Sequence, residues 1–182
     1  MDLQSFSLIP FHAEENRPDI RITGTIGQRA NTLSIRYALL GDLSELAMPA
    51  SGKLPERKDR LWEDTCLEFF LGIKDSERYW EFNLSPAGHW NVYRFTAYRK
   101  DMREEPDFTS LPFRIRTEPG ALRLSLDLGL GKIIPAGKSV EVAVSAVIKT
   151  VVGTTSHWAL VHPGPRPDFH QRDGFVLNIQ AE

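Results

Sequence analysis

Apolar residues in this chain recur at every second position, in short runs bounded by turn formers, and no stretch repeats them at helical spacing. Side chains alternate across an extended strand, so this period is the mark of β-structure. In residues 19–26, Ile20, Ile22 and Ile26 share one parity, and Gly24 takes the place between them. A glycine there predicts a bulge or a close backbone approach. Residues 31–40 carry Leu33, Ile35 and Tyr37; residues 65–73 carry Leu67, Phe69 and Leu71; residues 78–85 carry Trp80, Phe82 and Leu84. Further runs cover residues 89–97, 113–117, 121–128, 139–149, 154–161 and 175–179. About ten strands at this spacing predict an all-β fold, an antiparallel two-sheet β-sandwich. Residues 27–31, Pro86-Ala87-Gly88 and Pro119-Gly120 supply the turns. Two longer connections, residues 41–59 and 99–112, are expected to form rims or flaps, with one helical turn at Leu43-Ser44-Glu45-Leu46.

The 182 residues suit a single domain spanning 1–182. Lys plus Arg number 22 against 24 Asp plus Glu, a net charge of −2, so no basic excess points to nucleic acid or to an anionic membrane. No apolar run is long enough to span a bilayer. Cys66 is the single cysteine, so no intrachain disulfide can form and a packed core must hold the fold. The start, Met1-Asp2-Leu3-Gln4-Ser5-Phe6, has neither the cationic nor the apolar part of an export signal. With a free cysteine, this predicts a reducing, cytoplasmic setting.

Parity carries the functional inference. If residues 65–73 and 78–85 pair as a hairpin, their apolar faces must coincide, because a one-residue slip would invert one of them. Paired positions then sum to an odd number. With a sum of 151 Glu68 faces Asn83; with 149 it faces Glu81. Either way Glu68, Glu81 and Asn83 gather on the face away from the core. The simplest reading of such a patch is the wet face of a sheet. Trp62, just upstream, suggests more: an aromatic ring stacks on the C–H face of a sugar while Glu and Asn bind its hydroxyls.

The segment Arg60-Leu61-Trp62-Glu63-Asp64-Thr65-Cys66-Leu67-Glu68-Phe69-Phe70 resembles the DOMON-like superfamily, in the bacterial branch similar to family 9 carbohydrate-binding modules. The likeness continues through residues 81–90, Tyr98-Arg99, His157-Trp158-Ala159-Leu160-Val161-His162-Pro163, Pro167-Asp168-Phe169-His170 and Phe175. The resemblance implies a jelly-roll-like sandwich that binds a carbohydrate or similar polyol without a cofactor and without catalysis. It also implies two tryptophans around a terminal sugar, with a glutamate and an asparagine on its hydroxyls. Trp62, Glu68 and Asn83 stand at those places, and Trp158 is the candidate for the second ring. The relatives carry arginine two residues before the asparagine, where this chain has Glu81. Arg60, His157 and His162 complete the expected polar contacts. Trp80, Trp90, Phe69 and Phe82 are left to the core.

Other chemistries find less support in the residues. Glu68 and Glu81 could act as the carboxyl pair of a glycoside hydrolase. A rim of aromatics could instead dock a protein. His157, His162 and His170 match no metal-ligand spacing, although a curved loop could bring His162, Asp168 and His170 together. For haem, Met102 with His157 or His162 is a nominal pair only. Cys66 reads as a small buried residue, and Asp168 and His170 as residues that lock their loop.

Overall fold

The computed structural model describes residues 2–12, 14–49 and 54–180. Residues 50–53 of the first long connection therefore lie outside the described part, as does Met1. Twelve strands occur among the described residues: β1 (Asp2–Pro10), β2 (Ile20–Arg29), β3 (Thr32–Gly41), β4 (Cys66–Ile73), β5 (Tyr79–Leu84), β6 (Trp90–Phe95), β7 (Arg103–Glu104), β8 (Phe113–Glu118), β9 (Ala121–Gly129), β10 (Val140–Lys149), β11 (Thr155–Ala159) and β12 (Leu177–Ile179). They join antiparallel in the order β7-β6-β5-β4-β10-β11-β1-β2-β3-β9-β8, with β12 beside β10.

All ten segments expected from the alternation form strands. β1 is the long strand the pattern did not mark. It carries apolar residues on both parities: Phe6 and Leu8 are buried, while Leu3 and Ile9 are each 51% exposed. Its place in the sheet explains this mixture. Residues 2–8 pair with β2, after which Ile9 and Pro10 pair with Ala159 and Trp158 of β11. β1 thus passes from one half of the sheet to the other, and the sheet curls around the core it encloses.

That core takes Ile22, Ile26, Leu33, Ile35, Tyr37 and Leu124 from one half, and Leu67, Phe69, Phe82, Val142 and Val144 from the other. The rings of Phe69 and Phe82 stack with centroids 4.4 Å apart. Tyr37 spans the interior, donating from its hydroxyl to the Glu68 carbonyl at 2.6 Å. Burying each such ring contributes about 1.5–3 kcal/mol, which stands in for missing disulfides.

The register through Gly24 is unbroken from Ile22↔Leu39 to Ile26↔Ile35, so Gly24 marks a close approach and not a bulge. A Cβ there would sit 2.0 Å from the Arg36 carbonyl oxygen and 2.3 Å from Phe6 Cζ. Gly24→Ala is expected to destabilise the fold by about 1–3 kcal/mol, measured by denaturant unfolding, because two strands or an aromatic ring must shift.

The connections follow their turn chemistry. Asp42 caps a short 3-10 turn at Leu43–Glu45, accepting from Ser44 N at 2.9 Å. A second turn, Leu61–Glu63, follows Arg60, whose φ of 59° is left-handed. The two long connections meet at Arg57, which donates to the Glu105 carbonyl at 3.0 Å and lies over the Trp90 ring at 4.6 Å.

Candidate functional site: a covered cavity on the second face

β4 and β5 are buried on both faces. Leu67, Phe69, Leu71, Trp80, Phe82 and Leu84 face the main core. The opposite face, which the alternation read as wet, is roofed by the chain around residues 167–175 and by the turn holding Trp62. Phe70, Tyr79, Tyr93, Phe95, Ala143 and Phe175 form a second apolar cluster there, with Trp62 and Phe169 half-buried against it. Sequence alternation could not show this roof, because most of it, residues 167–175, lies some ninety positions downstream of the strands it covers.

The register is the one with sum 151: Glu68 lies opposite Asn83. Across four neighbouring strands Asn91, Asn83, Glu68 and Ser145 line up in one row. The next row is Tyr93, Glu81, Phe70 and Ala143. Glu68, Glu81 and Asn83 are 2%, 4% and 0% exposed, so carboxyl groups are held here at the desolvation cost that burial imposes.

Between the sheet and its roof lies a cavity of about 340 Å³. Its floor includes Glu68, Glu81, Phe70 and Val147, and its walls include Trp62, His157 and Phe169. Trp62 packs edge-on against Tyr93, centroids 5.7 Å apart, on the β6 side. Phe169 lies 6.0 Å from the His157 ring on the β11 side. The two half-buried rings therefore stand on opposite sides of the carboxyl floor.

The roof is fastened at Asp168. Its carboxylate accepts from Tyr98 Oη at 2.5 Å, Arg99 Nη2 at 2.9 Å and the His170 amide at 3.1 Å. Burial pushes the Asp168 carboxyl up, but these bonds outweigh it and hold it below its usual range. Tyr79 Oη accepts from the Arg99 amide at 3.1 Å and lies 2.9 Å from His170 Nδ1. With the tyrosine proton given to that nitrogen, the hydrogen of the neutral ring sits on Nε2, which faces Glu81 Oε2 at 3.7 Å. Burial lowers the His170 pKa to about 4, so the ring is neutral near pH 7. Asp168 and His170 thus lock their loop, as expected.

On the floor, Asn83 donates to Glu81 Oε1 at 2.8 Å, and Ser145 donates to Glu68 Oε2 at 3.3 Å. Glu68 Oε1 is buried without a hydrogen-bond partner. Burial, and for Glu68 the neighbouring Glu81 as well, raises both carboxyl pKa values. Cys66 is buried beside them, 3.7 Å from Asn83 Oδ1, and burial pushes its thiol well up, away from thiolate chemistry.

These shifts fix a pH dependence. Glu68 is raised in the folded state, so its stabilising contribution is present at low pH and is lost as pH rises past 4.5 and through its folded value. Glu81, raised to about 7, acts in the same direction. His170, lowered to about 4 from 6.5, acts oppositely and offsets Glu81 between those values. The net trend is set by Glu68. Glu68→Gln is expected to flatten the fall of stability with rising pH, read by urea unfolding at pH 5 and pH 8.

The other expected site residues are placed as follows. His157 borders the cavity, with Nδ1 held 2.5 Å from Glu14 Oε1. Asn83 lies behind the floor and acts through Glu81. Trp158, expected as the second stacking ring, instead faces the core: its parity in β11 is opposite to that of His157, and its Nε1 donates to Ser156 Oγ at 2.9 Å. His162 sits outside the cavity, its Nε2 2.9 Å from the Ile9 carbonyl, and so does not join Asp168 and His170. Arg60 is exposed and pairs with Glu63. Phe169 was given no role by the sequence, although the segment Pro167-Asp168-Phe169-His170 was legible as a motif. Among the described residues no three His, Cys, Asp or Glu side chains converge as metal ligands.

No protein-family model and no curated protein matches the chain. Solved structures do share its fold. One is a protein from Bacteroides uniformis ATCC 8492 proposed to bind carbohydrate; it is 16% identical, with a TM-score of 0.71 over 100% of this chain and 86% of that one. A family 9 carbohydrate-binding module from Caldicellulosiruptor kristjanssonii in complex with glucose is 10% identical, with a TM-score of 0.57 over 91% of this chain and 78% of that one. A structure described in the same way, but in complex with cellotriose, is 10% identical and gives 0.61 over 99% and 83%. At these identities the likeness is one of fold.

Proposed function

We propose that this chain is a non-catalytic saccharide-binding module of the DOMON-like type, and that the covered cavity is its binding site. The observation that carries this reading is one juxtaposition: two half-buried rings, Trp62 and Phe169, stand on opposite sides of a floor of hydrogen-bonding carboxyls. Rings take the C–H faces of a pyranose, and Glu68, Glu81 and His157 take its hydroxyls. The cavity is at the small end of the roughly 300–1,000 Å³ of ligand sites, which suits one or two sugar rings. Modules of similar fold bind glucose and cellotriose, and the curled sheet suits their two-layered, jelly-roll-like sandwich. The buried, unpaired Cys66 fits a reducing compartment.

Hydrolysis is the weaker reading. A glycosidase needs one carboxyl ionised while the other stays protonated. The two carboxyls must also flank the scissile bond, whereas Glu68 and Glu81 lie side by side on one floor of the cavity.

Calorimetric titration with glucose and cellotriose tests the proposal. The expected result is saturable binding in the micromolar to millimolar range, because a small site gains little beyond the cost of association. An absence of heat and of amide shift changes across a panel of neutral and charged saccharides would sink it.

A further inference from the structure

No cation is hydrogen-bonded to the carboxyl floor; Arg99, on the cavity wall, acts on Glu81 only through space, against a larger upward push from burial. Among the described residues, the donors bonded to Glu81 and Glu68 side chains are neutral groups such as Asn83 Nδ2 and Ser145 Oγ. Glu68 Oε1 is buried without a nitrogen or oxygen partner, and the Cys66 thiol, a weak neutral donor, lies beside Glu68. Arg99, the guanidinium on the cavity wall, makes its hydrogen bond to Asp168 at 2.9 Å. His170 Nε2 stands 3.7 Å from Glu81 Oε2, beyond hydrogen-bond length. Two adjacent buried carboxyls with neutral donors cannot both be ionised cheaply, since each is desolvated and each repels the other. The rings of Trp62, Phe70, Phe95 and Phe169 border the same cavity, and aromatic faces attract positive charge.

We propose that the cavity selects an amine-bearing saccharide, whose ammonium group seats between Glu68 and Glu81 against the aromatic walls. The inference rests on the saccharide reading above and names its substrate class. A neutral sugar offers hydroxyls but leaves the carboxyl pair to keep its protons. An ammonium group brings N–H donors and a full positive charge, satisfies Glu68 Oε1, and compensates one ionised carboxyl of the pair, whose proton goes to solvent while the other carboxyl keeps its own. N-acetylation of the amine removes that charge.

The test compares D-glucosamine, D-glucose and N-acetyl-D-glucosamine by calorimetry near pH 7, with methylammonium chloride as a ring-free cation and calcium chloride as a metal control. Glucosamine is expected to bind about tenfold or more tightly than the other two sugars, an electrostatic gain of the kind seen for close charge pairs. In Glu81→Gln, which keeps an oxygen for Asn83, the ratio of glucosamine to glucose affinity should fall to about twofold or less, whatever affinity both sugars lose together. Glucose binding as tightly as glucosamine would overturn the amine inference and leave the saccharide reading intact. Methylammonium binding without any sugar would overturn the saccharide reading and leave a cation site. Calcium binding in preference to either amine would overturn the amine inference, and no binding by any probe would overturn both.

Discussion

Trp62→Ala will lower saccharide affinity about ten- to a hundredfold while leaving the fold in place. The ring is half-buried, so only part of its surface supports the structure. It is nonetheless fixed. The left-handed Arg60 turns the chain, the Asp64 amide closes the turn on the Leu61 carbonyl at 3.2 Å, and Tyr93 holds the ring edge. A ring held in place before binding loses little entropy when a sugar arrives. Alanine removes the apolar wall and leaves the carboxyl floor open to water on that side. Calorimetry on the variant measures the loss, and denaturant unfolding checks that stability moves by less than about 1 kcal/mol, the range of a partly exposed side chain.

Phe82→Ala will have the largest effect on stability, about 3–5 kcal/mol, because it empties a fully buried site. Phe82 stacks on Phe69 at 4.4 Å and meets Phe108 edge-on at 5.6 Å. Its neighbours in sequence, Glu81 and Asn83, belong to the other face of β5. A cavity beneath β5 therefore loosens the strand that carries half of the carboxyl floor. Ligand affinity should fall together with stability, although Phe82 does not line the site. Chemical denaturation gives the first quantity and titration of the still-folded fraction the second. Unchanged stability would mean that Phe82 is not the keystone of the main core.

Most strands, and the hairpin register to within a choice of two, were legible in the sequence, because each depends on local alternation. Leu67, Phe69 and Leu71 against Trp80, Phe82 and Leu84 restrict the hairpin to a few registers, and the observed one pairs Glu68 with Asn83. Burial of the opposite face was not legible. It depends on where residues 167–175 return after eleven strands have been laid down, and no alternation in β4 or β5 encodes that path. The same limit explains Trp158. Its motif was visible, but its parity within β11 sends it into the core, while its neighbour His157 reaches the cavity. Phe169 takes the opposite wall from a loop with no period to read. β1 was obscured for a physical reason as well: a strand that serves both halves of a sheet shows apolar residues on both parities.

A saccharide in the cavity lies against Trp62. The chain has four tryptophans, and Trp80, Trp90 and Trp158 are 3%, 3% and 4% exposed in the main core. All four emit, but a ligand in the cavity can contact only Trp62 among them, so a change in intrinsic tryptophan fluorescence on titration reports on that ring. The proposed site predicts a saturable change in emission with glucosamine or cellotriose that disappears in Trp62→Phe, while calorimetry still detects binding. A saccharide that binds by calorimetry yet leaves the emission unaltered, or a change that persists in Trp62→Phe, would contradict it.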